Sequence, residues 1–307
     1  MTENAAQIEA ALVYDASMAL DMGQRERQED AIVSDFTAGQ NFGFVVLADG
    51  MGGHAAGDVA SKIVVTEVFS ELKLQSGDPD LLEPRIGQVL RRAAISANKC
   101  LQVYASQCPD ASGMGATLVA PVLIEDRLYW ISVGDSPLYL FRDDALIRLN
   151  ENHALSSQID YLVSSGLMAR EEALCYPDPS CLTSVLIGAE IAQIDCRATP
   201  FRIRQGDILL VASDGVQFLS EERIEAILRF ARKRSAEGIG AALLAAIQDL
   251  KDPAQDNIAL CVIKAQARQA SGAVPELEPE TIRRGRVDAG SITILARITR
   301  GKRAVRQ

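Results

Sequence analysis

FGFVVLADGMGGHAAGDVAS, residues 42–61, changes character twice within a short stretch. Residues 42–48 are almost wholly apolar, the pattern of a strand buried on both faces. Asp49 stands where that strand runs out, and glycines follow it at Gly50, Gly52, Gly53 and Gly57. Over residues 58–74, Val59, Ile63, Phe69 and Leu72 recur at mostly helical spacing, and residues 86–104 repeat the pattern through Val89, Leu90, Ala93, Ala97 and Leu101. A buried strand that feeds two consecutive helices through an acidic, glycine-rich turn is the unit from which the fold can be read.

Outward from this unit the chain alternates between strand and helix patterns without regular order. Residues 17–48 are strand-like in short pieces. In residues 115–149, apolar and β-branched runs are broken by Glu125-Asp126, Gly134-Asp135 and Asp143-Asp144, which predicts successive hairpins in one antiparallel meander. Residues 156–165 read as a short helix stopped by Gly166, and residues 175–184, with Pro177 and Pro179, as a surface loop. Strands follow at 196–203 and 208–213. Ser220 is placed to cap a helix reaching about Phe230, a second helix runs to Leu250, and a strand at 258–263 closes the sheet. The mixed order predicts an α+β protein rather than a wound parallel sheet.

Composition narrows the chemistry. The 307 residues are 48% hydrophobic, ample for a large buried core. A net charge of -10 argues against nucleic acid as the main partner, because such readers need a basic stripe. No apolar run approaches the roughly 20 residues that a membrane span requires. The opening MTENAAQIEA lacks the basic start and apolar stretch of a signal peptide, so the cytoplasm is the expected compartment. Six scattered cysteines form no C-x-x-C pair and read as reduced packing residues. With only His54 and His153 available, any metal chemistry falls to hard oxygen ligands. Residues 265–307 carry nine Arg or Lys against four Asp or Glu, whereas the preceding part is strongly acidic. The composition therefore divides the chain into a folded domain at 1–264 and a basic C-terminal tail at 265–307, expected to be flexible.

Asp49-Gly50 ends one apolar strand, Asp214-Gly215 ends LLVASDG, and Asp256-Asn257 leads into IALCVI. A carboxylate at a strand terminus commonly forms a turn with its own backbone. Three such ends brought together would repel one another, and divalent cations relieve that repulsion. The glycine after Asp49 also lets a backbone carbonyl approach an ion. In the charged segment GQRERQED, residues 23–30, Arg25 offers a planar fork of donors that matches two phosphate oxygens; a surface ion pair is the plainer reading. Paired metals with an arginine are a sufficient kit for phosphoryl transfer to water.

Taken in order, GQRERQED at 23–30, VLADGMGGHAAGDVAS at 46–61, GMGATLVA at 113–120, VGDSPLYLFR at 133–142, LLVASDG at 209–215 and DNIAL at 256–260 resemble the metal-dependent PP2C-type (PPM) serine/threonine protein phosphatases, especially bacterial members. The resemblance implies a four-layer α-β-β-α sandwich of two mainly antiparallel sheets flanked by helices. It implies a site for two Mn²⁺ or Mg²⁺ ions at one end, with a third, weaker site in bacterial members. By position, Asp49 would bridge both ions, Glu29 and the Gly50 carbonyl would serve one, and Asp214 and Asp256 the other. Asp30 would hold metal-bound water, Arg25 would clamp the phosphate, and Asp135 with Asp214 would form the third site. Attack by hydroxide would be direct, with no phosphoenzyme. The implied partner is a phosphoprotein phosphorylated by a serine/threonine kinase, and a monomer is expected.

The chain departs from the family pattern in places. Met51 stands where some members carry a histidine, and His54 comes later, which leaves the acid for the leaving group unassigned. Gln28, Pro137 and Ser184-Val185 replace residues common in the family, and His153, in ENHAL, reads as structural. None removes an implied ligand. Four other readings compete, one of them a P-loop whose glycine spacing Gly52 to Gly57 imitates, although Asp58 occupies the place of the required lysine. Gly50-x-Gly52-x-x-Ala55 with Glu71 downstream meets a relaxed dinucleotide fingerprint, but Asp49 would repel a pyrophosphate there. Ser136 lacks the elbow of an esterase nucleophile. A catalytically weak pseudophosphatase serving as a signalling interaction module would keep the fold without turnover.

Overall fold

Strand β3 (Phe42–Met51) is apolar along both of its faces because each face is covered by a different layer. Phe44, Val46 and Ala48 pack toward helices, while Val45 and Leu47 pack toward a second sheet. The alternation of period two thus divides one continuous apolar run between two cores. The protein is a computed structural model that describes residues 11–37, 39–52, 56–170, 172 and 181–268.

The elements follow in the order β1 (Leu12–Asp21), β2 (Asp30–Phe36), β3, α1 (Ala56–Gln75), a single turn α2 (Pro79–Leu82), α3 (Ile86–Gln107), β4 (Gly115–Ala116), β5 (Leu118–Ile124), β6 (Arg127–Val133), β7 (Leu138–Arg142), β8 (Ala145–Arg148), α4 (Leu155–Ser164), β9 (Asp195–Arg202), β10 (Ile208–Ala212), α5 (Glu221–Ala231), α6 (Ala236–Gln248) and β11 (Ile258–Ala267). One sheet has the order β1-β11-β10-β7-β8 and the other β2-β3-β5-β6-β9, with β4 paired to β3. All of their pairings are antiparallel.

The cores confirm four layers. Helices α1 and α3 cover the outer face of the β3 sheet through Val64, Val68, Leu90 and Ala97. Helices α5 and α6 cover the other sheet through Ile224, Leu228, Ile239 and Leu243. Between the sheets lie Leu47, Val119, Trp130, Leu140, Leu209, Val211 and Cys261. Ser220 and Ser235 begin α5 and α6 as N-caps, accepting from the N–H groups of Arg223 and Gly238. The expected α+β architecture of two antiparallel sheets between helices is the one observed.

Two expectations need adjustment. The strands between residues 115 and 149 do not form one meander: the β5–β6 hairpin belongs to one sheet and the β7–β8 hairpin to the other. The chain crosses between sheets at residues 134–137. Gly134 has a φ of +104° there, a conformation open to glycine, and Pro137 has no N–H to continue a ladder. The change of composition at Ala265 also precedes the end of β11, which pairs with β1 as far as Ala267 opposite Leu12. The remainder of the basic tail, residues 269–307, lies outside the described residues, as does most of the loop at 175–184. Among the described residues no helix is long and apolar enough to cross a membrane.

Because Leu47 is fully buried between the sheets, Leu47→Ala is expected to cost about 2–5 kcal/mol in urea unfolding. Leu74, 79% exposed on α1, is the contrast: Leu74→Ala should change stability by no more than about 0.5 kcal/mol.

Candidate metal and phosphate site

One end of the sandwich collects the acidic residues because strands from both sheets terminate there. Asp49 lies near the end of β3 and Asp30 at the start of β2, and the register sets these two directly opposite each other. Asp214 follows β10, Asp256 precedes β11, and Asp135 occupies the crossing from β6 to β7. The connector from β1 to β2 crosses the same end and carries Arg25 and Glu29. The three strand ends singled out in the sequence therefore converge.

The backbone around Asp49 is pinned on every side. Its N–H donates to Thr117 Oγ1 at 2.9 Å, and its carbonyl accepts from the Thr117 N–H at 2.8 Å. The Gly50 N–H donates to the Glu29 carbonyl at 3.1 Å. Thr117 Oγ1 also lies 2.7 Å from Ser136 Oγ, so one hydroxyl ties Asp49 to the loop that carries Asp135. That loop has further supports. Asn150 donates to the Ser136 carbonyl and accepts from the Leu138 N–H, and Arg148 donates to the Asp135 carbonyl. His153 Nδ1 accepts the Gly134 N–H at 3.1 Å. Burial lowers the pKa of this histidine, which favours the neutral imidazole that such acceptance requires. Its structural reading stands on those contacts, and Ser136 has a threonine rather than an imidazole as its partner. His54 lies outside the described residues.

The carboxyl side chains press on one another. Burial, then the charges of Asp30, Asp214, Asp135 and Asp256, push Asp49 well above the usual carboxylate range. Asp30 is raised to about 7, chiefly by burial, with Asp214 and Asp256 adding to it. Working the other way, Ser213 Oγ donates to Asp30 Oδ2 at 2.7 Å, and Asp49 is a second hydrogen-bonding partner. Asp214 is raised to about 6 by burial and by Asp135 and Asp256. Burial also raises Asp135, and it raises Glu29 against the pull of Arg25. The common cause is negative charge gathered where water is scarce.

Asp256 is the member turned outward. Its Oδ2 accepts from Arg25 Nη2 at 2.5 Å, and its Oδ1 accepts the Asn257 N–H at 2.7 Å. Among the described residues, no three Asp, Glu, His or Cys side chains already make an ion-holding group. The donors nevertheless suit a hard divalent cation, since each is a carboxylate or carbonyl oxygen. Space exists for them to meet. A Cβ on Gly57 would lie 2.5 Å from Glu29 Oε2 and 2.9 Å from the Gly50 carbonyl oxygen, so both oxygens border a space that only glycine leaves open. The residues fit the ions that the sequence led us to expect.

Thr117 and Ser213 carry no local signal in the sequence, and Asn257 stands out there only as the neighbour of Asp256. Each stands beside or opposite an acidic residue, and its role is visible only once strands from different parts of the chain are paired. The antiparallel sheets also remove the dinucleotide reading, which requires parallel βαβ units.

Comparison with known proteins adds a second line. The family described as Protein phosphatase 2C matches residues 22–249. A curated relative, the serine/threonine phosphatase stp of Listeria innocua, is 33% identical over 192 residues, which span 62% of this chain and 73% of the relative. The crystal structure of the Mycobacterium tuberculosis serine/threonine phosphatase PstP/Ppp superposes with a TM-score of 0.66 at 30% identity, covering 83% of this chain and 99% of that one. The catalytic domain of PstP in complex with two manganese ions gives a TM-score of 0.65 at 29% identity, with the same coverage.

The crowding has a measurable sign. An acid whose pKa is higher folded than unfolded destabilises the fold when ionised, and the cost disappears as pH falls below its unfolded value. In EDTA, Asp214→Asn should therefore be more stable than the unsubstituted chain at about pH 8, with the advantage shrinking as pH falls through about 6 toward about 4. Urea unfolding at a series of pH values checks this; an Asn variant less stable at the alkaline end would contradict the crowding.

Proposed function

The chain belongs to the protein phosphatase 2C family, and on that premise we propose that it is a protein serine/threonine phosphatase whose site holds two divalent cations, Mn²⁺ or Mg²⁺, through Asp49, Glu29, the Gly50 carbonyl, Asp214 and Asp256. The observation that carries this reading is the convergence of buried, mutually repelling carboxylates from both sheets beside an arginine. The family is metal-dependent, and the PstP catalytic domain has been seen with two manganese ions. When bound, such ions polarise phosphoryl oxygens and lower the pKa of bound water enough to make hydroxide available near pH 7.

The chain's own residues do the rest. The Arg25 side chain is 57% exposed and paired at 2.5 Å with Asp256 at the rim, where its fork can turn to two oxygens of an incoming phosphate. The Ser213 hydroxyl that holds Asp30 supports a role for it in orienting water rather than in direct ligation. Asp135 presses on both Asp49 and Asp214. That proximity supports a third, weaker ion site between Asp135 and Asp214. The substrate class is protein phosphorylated on serine or threonine, the product of a protein kinase that this enzyme opposes.

Hydrolysis of an aryl phosphate and of a phosphothreonine peptide should depend on added Mn²⁺ or Mg²⁺ and stop in EDTA. Asp214→Asn or Asp49→Asn should lower kcat/KM by about 100-fold or more, roughly 3 kcal/mol of transition-state stabilisation. Arg25→Ala should raise KM for the phosphomonoester while leaving affinity for the ions nearly intact. Turnover indifferent to both EDTA and Asp214→Asn would sink the metal mechanism. Binding of phosphopeptide without turnover in every metal condition would mark the chain as a pseudophosphatase.

A further inference from the structure

Asn257 is buried, with 4% of its surface exposed, and its carboxamide hydrogen-bonds to backbone groups of the chain. Its Oδ1 accepts the Glu29 N–H at 2.7 Å. Its Nδ2 donates to the Met22 carbonyl and to the Arg27 carbonyl, each at 2.9 Å. Both amide donors and the carbonyl oxygen are thereby used on a single stretch of chain, the β1–β2 connector. The residues touched lie on either side of Arg25. The Met22 carbonyl also accepts the Arg25 N–H at 3.3 Å, so Asn257 grips the turn on which Arg25 stands.

On the phosphatase reading above, we propose that Asn257 is the positioning residue for the phosphate clamp: it sets where Arg25 stands relative to Asp256 and the other carboxylates. The geometry explains the choice of side chain. Asn257 follows Asp256 directly, and its own N–H is held by Asp256 Oδ1, so its carboxamide is fixed to the residue with which Arg25 pairs. Aspartate has the same shape but would set a charge against two carbonyl oxygens in place of two donors. Serine is too short to span three partners. Glu29 gains from the same latch, since its N–H is held by Asn257 and its carbonyl by the Gly50 N–H. One amide thus joins the residue that leads into β11, in one sheet, to the approach to β2, in the other.

The test is a double-mutant cycle on the full chain with saturating Mn²⁺ and an aryl phosphate substrate, using Asn257→Ser, Arg25→Ala and the pair. Asn257→Ser alone should lower kcat/KM by about 10–100-fold, the usual effect of losing a group that orients a site, and weaken inhibition by inorganic phosphate. On the Arg25→Ala background the same change should cost less than about threefold, because the residue it positions is already gone. An equal loss on both backgrounds would mean that Asn257 serves only general structure, and would overturn the proposal, as would an Asn257→Ser chain with normal activity. Thermal unfolding of each variant accompanies the kinetics, and Asn257→Gln, which keeps the amide but displaces it, enters the same cycle if the serine variant does not fold. Absence of metal-dependent turnover in the unsubstituted chain would instead sink the phosphatase reading. In that case calorimetric titration of inorganic phosphate in Mn²⁺ still compares the four chains, with the same expected pattern.

Discussion

Asp30, almost wholly buried, and Asp49 face each other across β2 and β3. Like charges opposite one another in a ladder are destabilising, and burial makes them more so. The surrounding structure answers this with backbone restraint, and a proton can sit between the two carboxyls, whose pKa values are both raised. Thr117 takes both polar groups of the Asp49 backbone, Ser213 holds one oxygen of Asp30, and Arg25 pairs with Asp256 at the rim. A framework that fixes crowded acidic groups in place is suited to receiving cations.

That arrangement needs two sheets. A single antiparallel sheet brings neighbouring strand ends together, as β2 with β3 or β10 with β11, and each pair supplies half of the acidic set. Stacking the sheets brings the halves face to face. The contacts that cross the seam are small polar side chains: the Ser213 hydroxyl to Asp30, and the Asn257 amide to the β1–β2 connector. The apolar layer between the sheets sets their spacing, so core and site are parts of one construction.

Much of this was legible in the residues. Residues 42–49 announced a strand buried on both sides with an acid at its end, and the helical spacing after it located α1 and α3 closely. The acidic strand ends were visible because a carboxylate beside a glycine or asparagine stands out against apolar runs. What stayed hidden depends on pairing between distant segments. Nothing local distinguishes a hairpin that stays in its sheet from one that leaves it, so the crossing at 134–137 read as one more turn. Thr117 and Ser213 are ordinary polar residues until the ladder sets each beside its acid. The composition shift at Ala265 marked a change in surface charge, whereas β11 continues for as long as β1 offers it hydrogen-bonding partners.

The position of β11 bears on how the protein comes into being. It is the last strand of the described chain, yet it lies inside its sheet, between β1 and β10, and brings Asp256 and Asn257 with it. As the ribosome delivers the chain from its N-terminal end, β1 and β10 emerge with no strand between them, and their closure waits on pairings of very large sequence separation. A nascent chain that stops short of Asp256 has both an open sheet and an incomplete acidic set. Activity and the completed fold therefore arrive together, and a truncated product is more apt to be cleared as unfolded protein than to persist as a partly working enzyme.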